Sequence, residues 1–82
     1  MAKVVFLSSG EQVDRTTIES LDRRGYVVLN LGGSYRRDER MELLSRCDIL
    51  YLAKGWYRCS EGREQRKLAG EMGMELWGLK SG

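Results

Sequence analysis

Two short, unbroken apolar runs, Val4-Val5-Phe6-Leu7 and Ile49-Leu50-Tyr51-Leu52, constrain this chain more than any other feature. A strand with one wet face alternates apolar and polar residues, whereas a continuous run reads as a strand covered on both faces, as at the centre of a parallel sheet. Tyr26-Val27-Val28-Leu29, entered through Gly25, is a third run, and Met74-Glu75-Leu76-Trp77 alternates as an edge strand does. Helical segments lie between them. Thr16 followed by Glu19 has the spacing of a capping box leading to Ile18 and Leu21, and Arg23-Arg24-Gly25 supplies a basic last turn and a glycine stop. Asp38 is placed to cap a second helix carrying Met41, Leu43 and Leu44, and Cys59 or Ser60 to open a third that runs through Leu68 and Ala69 towards Gly73. The order is therefore β-α-β-α-β-α-β. Strands alternating with helices imply right-handed crossovers, so the expectation is an α/β domain spanning 1–82, with a four-stranded parallel sheet of order 2-1-3-4 and helices on both faces.

Eighty-two residues leave room for one such module and no separate catalytic and substrate domains. A chain this short buries only roughly 60–65% of its unfolded surface, so association with further copies, a homo-oligomer, is expected. The apolar runs fall far short of the roughly 20 residues that cross a bilayer, and no charged-then-apolar leader opens the sequence. A soluble, cytoplasmic protein without a membrane partner is expected. There are no histidines, and the two cysteines, Cys47 and Cys59, have neither C-x-x-C spacing nor a histidine partner. Zinc, haem and His-based triads are excluded, no cofactor is expected, and two free thiols are the plainer reading of the pair. A thiol at the start of a helix leaves thiolate chemistry open for Cys59. The formal net charge of +2 is too weak to mark a nucleic-acid binder. Arginine nevertheless dominates the bases, and its planar fork suits phosphate or carboxylate.

In doubly wound sheets, ligands sit outside the carboxyl ends of the strands where the strand order reverses, here between the first and third strands. Three loops reach that edge. Ser8, Ser9 and Gly10 place hydroxyls and a flexible backbone after the first strand, although an ordinary strand-to-helix turn uses the same residues. Asn30 to Tyr35, with Gly33 at its centre, is followed directly by Arg36 and Arg37, but it has neither the lysine of a P-loop nor the dinucleotide fingerprint. Lys54-Gly55-Trp56-Tyr57-Arg58 is the most informative, because it puts two large rings on a short connection, where aromatic faces can stack on a base. Lys54, Arg36, Arg37, Arg58 and Arg63 would rim them with positive charge. In the plainer reading Trp56 covers the end of the sheet and the charges are solvated. Of the carboxylates, Asp48 begins a buried strand, while Glu61 and Glu64 lie three apart at the start of the third helix, where the dipole alone favours acids.

The stretch Cys47-Asp48-Ile49-Leu50-Tyr51-Leu52-Ala53-Lys54-Gly55-Trp56 resembles a short phage and bacterial domain of unknown function in the nucleoside 2-deoxyribosyltransferase-like superfamily. The likeness extends to Val4–Gly10, to Leu21 through Gly25 and Val28, and to Tyr35-Arg36-Arg37-Asp38, and so covers most of the chain. It implies a Rossmann-like fold and a nucleoside-type pocket. After the Trp the family reads x-x-S-x-G-A-x-x-E. Without a gap, its Ser falls on Cys59, its Gly on Glu61, its Ala on Gly62 and its Glu on Gln65. A one-residue shift recovers Ser60 and Gly62 but puts Arg66 at the Glu position. In the transferases that glutamate attacks the anomeric carbon, and neither an amide nor a guanidinium can form the glycosyl ester.

The combined expectation is a small flavodoxin-like domain that binds a nucleotide- or nucleoside-type small molecule without turning it over. Trp56 and Tyr57 would stack on the base or ribose. Ser8, Ser9, Gly10, Gly33, Tyr35, Gly55 and Ser60 would line the site, and Lys54, Arg36, Arg37 and Arg58 would meet negative charge. Because the resembled family is common in phages, a concrete version is a phage protein, acting in the host cytoplasm, that sequesters a nucleotide immune signal. The alternatives are an N-glycosidase or deoxyribosyltransferase using Glu64 or Glu61 with Asp38 or Asp48 assisting, and a protein-binding adaptor anchored by Trp56 and Tyr57.

Overall fold

The computed structural model describes residues 2–29 and 35–78. Strand β1 (Val4–Leu7) leads to helix α1 (Arg15–Arg23) and strand β2 (Val27–Leu29); helix α2 (Arg37–Ser45) leads to strand β3 (Ile49–Tyr51). A single 3-10 turn, Trp56–Arg58, then precedes helix α3 (Ser60–Glu71) and strand β4 (Glu75–Trp77). The sheet is parallel throughout, in the order β2-β1-β3-β4, the α/β arrangement expected from the pattern of apolar runs. Val5 pairs with Val28 on one side and Ile49 on the other, so β1 is central, and β3 runs between β1 and β4.

The unbroken apolar runs are explained by two separate cores. On one face Phe6, Leu44, Cys47, Leu50, Leu52 and Ala69 pack together, so that α2 and α3 cover this side. On the other, Val5, Leu21 and Ile49 are joined by Leu7, Tyr26, Val28, Tyr51 and Trp77, with α1 the covering helix. Consecutive residues of β1 and β3 point to opposite faces and are buried on both, and each large apolar side chain removed from water contributes about 2 kcal/mol. Because one helix covers one face and two the other, the α1 side leaves Tyr51 and Trp77 only half-buried beyond that helix.

Helix boundaries follow local chemistry, with two differences from the sequence reading. The first helix starts at Arg15 with Asp14 in the N-cap position, so Thr16 is a helical residue and Glu19 pairs with Arg15 (3.3 Å) in place of capping. The second is capped from Arg36: the Arg36 amide donates to Glu39 Oε1 at 2.8 Å, and Asp38 lies inside the first turn. Asp is at least as good an N-cap type as Thr, so the start at Asp14 agrees with local preference, and Glu39 reaching back to the Arg36 amide fixes the second start. Cys59 precedes the third helix and Ser60 opens it, as expected. Gly25 and Gly73 end α1 and α3 with φ of +91° and +70°. The following amides, of Tyr26 and Met74, reach back to Leu21 and Ala69 at 3.1 and 2.9 Å, a closure that needs the left-handed region. No described helix is long and apolar enough to cross a membrane.

Candidate functional site

The carboxyl ends of β1 and β3 are stitched together before any ligand is considered. Ser8 donates its amide to the Tyr51 carbonyl (2.9 Å), its hydroxyl accepts from the Ala53 amide (2.7 Å), and the Glu11 amide donates to the Lys54 carbonyl (2.8 Å). Gly10, at φ +150°, lies so close to the second loop that a methyl group there would stand 2.9 Å from the Lys54 carbonyl oxygen. Ser8 and Gly10, two of the residues expected at the site, join the two central loops.

Ser9 turns to the α2/α3 side. Its amide donates to Gln65 Oε1 (2.7 Å) and its hydroxyl donates to Glu61 Oε2 (2.9 Å), while Gln65 Nε2 donates to Ser9 Oγ (3.3 Å) and to Glu61 Oε2 (3.2 Å). Arg40, from α2, closes the group with a two-pronged pair to Glu61 at 2.5 and 2.6 Å, and its remaining nitrogen donates to the Tyr35 carbonyl. Gln65 is completely buried, and every polar atom of its amide has a partner. It sits there because α3 buries a 3-4 spaced stripe of Gly62, Gln65 and Ala69, and the two small residues bring the helix backbone close to the sheet. At Gly62 an added methyl would stand 2.4 Å from the Trp56 carbonyl oxygen and 3.0 Å from that of Ser9. The guanidinium of Arg40, bonded to Glu61, holds that carboxyl below its ordinary value; burial opposes this and the Ser9 hydroxyl adds to it. Arg40 is held above its ordinary value by the same Glu61 bond. Glu61 is thus held by four hydrogen bonds, three on Oε2 and one on Oε1. Of the two residues that the resemblance puts at the family's glutamate position, Gln65 meets the β1 loop, whereas the Arg66 guanidinium lies beside Gly70, further along the helix.

On the α1 side the same edge opens into a cleft of about 860 Å³. One wall is Glu11, Gln12, Val13, Asp14 and Thr17, from the loop before α1 and its first turn; the other is the segment from Tyr51 to Tyr57, with Gly78 completing the rim. Lys54, Gly55, Trp56 and Tyr57 therefore come together as expected, joined by Tyr51. The rings of Trp56 and Tyr57 meet edge to face with centroids 6.0 Å apart, and the Arg58 guanidinium lies 5.5 Å from the centre of the Tyr57 ring. Tyr57 is exposed, while Trp56 also packs on the α2/α3 core, with its indole N–H buried and without an acceptor. Gly55 holds φ +79°, the left-handed conformation that turns the chain into Trp56.

The remaining expected residues are distributed elsewhere. Arg37 pairs with Glu64 at 2.6 Å, Arg36 lies within 4 Å of Asp38 and Glu39, and Arg63 donates to the Tyr57 carbonyl, so these cations have internal partners and do not line the cleft. Tyr35 is exposed beside them and Ser60 is exposed at the start of α3. Asp48 stands at the amino end of β3, where it accepts the Val4 amide at 2.8 Å, at the opposite end of the sheet from the cleft. Gly33 lies outside the described residues. Cys47 and Cys59 are free thiols; Cys47 is buried, which pushes its thiol up to about 11. Sequence reasoning missed Arg40, Glu11 and Asp14. The two acids fall on the same switch-point loop as Ser8–Gly10, so applying the strand-end rule to the whole connection would have included them. Nothing local marks Arg40, whose partner Glu61 is 21 residues away. Among the described residues no group of three or more His, Cys, Asp or Glu side chains could hold a metal ion.

No protein-family model matches this chain, nor does any curated protein or solved structure.

Proposed function

We propose that this domain binds a nucleotide-derived ligand through its base, stacked on the Trp56–Tyr57 side of the cleft, and leaves the glycosidic bond intact. The observation that carries the reading is the division of the sheet edge. The aromatic cleft stands open at the ends of the central strands, where α/β sheets hold their ligands. The groups next to it that glycosyl chemistry would use are already engaged. Glu61 is bound by Arg40, Ser9 and Gln65, and the position facing the β1 loop is an amide. A nucleophilic carboxylate must reach the anomeric carbon; Glu61 is held inside the α2/α3 network by four hydrogen bonds, three on Oε2 and one on Oε1. Glu64 is tied to Arg37 on the outer surface of α3. The likeness to a phage-borne domain gives the reading a concrete form, the capture of a host nucleotide signal.

The test is to mix the protein with nucleosides, mononucleotides, ADP-ribose derivatives and cyclic dinucleotides, follow thermal stabilisation, then denature the complex and chromatograph what is released. Stabilisation with recovery of intact ligand is expected. Release of free base would replace this reading with an N-glycosidase, and no stabilisation by any compound would leave a protein-binding adaptor.

A further inference from the structure

We infer that the cleft selects for the base and sugar hydroxyls of its ligand and against phosphate, with Glu11 and Asp14 as the residues that decide it; this rests on the base-binding reading above. The aromatic wall faces a wall that carries two carboxylates. The Glu11 backbone N–H donates a hydrogen bond to the Lys54 carbonyl, and the Glu11 carboxylate lies over the turn that presents the rings: a methyl at Gly55 would stand 3.3 Å from Glu11 Oε2. Asp14 occupies the N-cap position of α1 without bonding the helix amides through its side chain. Its negative charge therefore stands at the helix end that would otherwise attract an anion.

Among the described residues neither acid has an ion-pair partner within 4 Å. Lys54 contributes one positive charge to the lining, so the acids outnumber the bases there, and Arg58 is drawn onto the Tyr57 ring. The arginines that could hold a phosphate at this edge, Arg37 and Arg40, are paired with Glu64 and Glu61 on the other side of the sheet. An ionised carboxylate only accepts hydrogen bonds, so it recognises hydroxyl and amino groups and repels a phosphate. A ribose diol and a stacked base satisfy both walls; a 5′-phosphate in the cleft satisfies neither. In a phosphorylated ligand, the phosphates must then project out of the cleft.

The experiment measures binding of the four ribonucleosides and their 5′-monophosphates by calorimetry at low salt, for the wild type and for the Glu11→Gln/Asp14→Asn double variant. Both substitutions are at exposed positions, and circular dichroism checks that the fold is kept. The wild type is expected to bind its preferred nucleoside roughly tenfold more tightly than the monophosphate, a gap that narrows as salt is added and falls to about twofold in the double variant. A monophosphate that binds as tightly as its nucleoside, or a gap unchanged in the double variant, overturns the charge selection while base binding stands. Failure of all eight compounds to bind overturns the selection, and the base-binding reading falls with it when ADP-ribose derivatives and cyclic dinucleotides also fail to stabilise the protein.

Discussion

The two sides of the sheet's carboxyl edge are built from similar residues and end in opposite states. On the α2/α3 side Ser9, Gln65, Glu61 and Arg40 bond one another in a closed network. On the α1 side Glu11, Asp14, Lys54 and Tyr57 stand exposed around a cleft. The difference comes from which helix approaches. Gly62 and Ala69 let α3 close onto the strand ends, which buries the polar groups beneath it and forces them to pair. Helix α1 starts after a seven-residue connection, and Tyr51 and Trp77 at the ends of β3 and β4 stay half-buried. Polar residues under a close helix become structure, and those beside a distant one remain available to a ligand.

The strongest way to break this contrast is Gly62→Ala. A methyl 2.4 Å from a backbone oxygen forces α3 away from Trp56 and Ser9, and a loss of about 3 kcal/mol in chemical denaturation is expected. Gly70→Ala on the same helix is the control. Its methyl meets only the flexible end of Arg66, so helix propensity should make it neutral or stabilising by up to about 1 kcal/mol. Equal losses in the two variants would show that close approach of α3 is not what locks the network.

Arg40→Ala tests the network directly. It leaves the mostly enclosed Glu61 without its cation, and a loss of about 1–2 kcal/mol at pH 7 is expected. Glu61's carboxyl is held low in the fold, so its stabilising contribution is fully present above the unfolded value of about 4.3 and disappears as pH falls through the depressed folded value. The wild type should therefore lose more stability than Arg40→Ala on going from pH 5 to pH 2, and parallel curves would remove Glu61 as the cause.

On the open side, Tyr57→Ala should change stability by no more than about 1 kcal/mol, because the ring is exposed, yet abolish ligand-induced stabilisation. Retained stabilisation would move the ligand off the aromatic wall. The smallest effect is kinetic. Cys47, buried and held protonated to about pH 11, should react with a thiol reagent at pH 8 only when the chain unfolds, while the half-buried Cys59 reacts in the folded state. Simultaneous labelling of both would mean that the core around Leu44 opens more readily than its packing implies.

The strands, both glycine helix stops and the aromatic loop could be read from the sequence, because each depends on neighbours within a few residues, and the sheet order followed from the alternation of strands and helices. Four-residue apolar runs mark strands buried on both faces, a glycine after a basic turn marks a helix end, and two rings between a strand and a helix must lie at the sheet edge. The helix starts were less legible, since Asp14, two residues before Thr16, takes the first N-cap position, and the Arg36 amide bonds Glu39 with Asp38 already inside the turn. Only the tertiary structure decided the fate of the polar residues. Ser9 and Gln65 are 56 positions apart, and Arg40 and Glu61 are 21 apart. A serine, glutamate or arginine has the same local sequence signature whether it meets a ligand or another side chain. What separates the two outcomes is burial, because a polar group removed from water must find a partner within the protein. The depth to which α3 closes over Ser9, set by the missing side chain at Gly62, made that choice on one side of the sheet and left it open on the other.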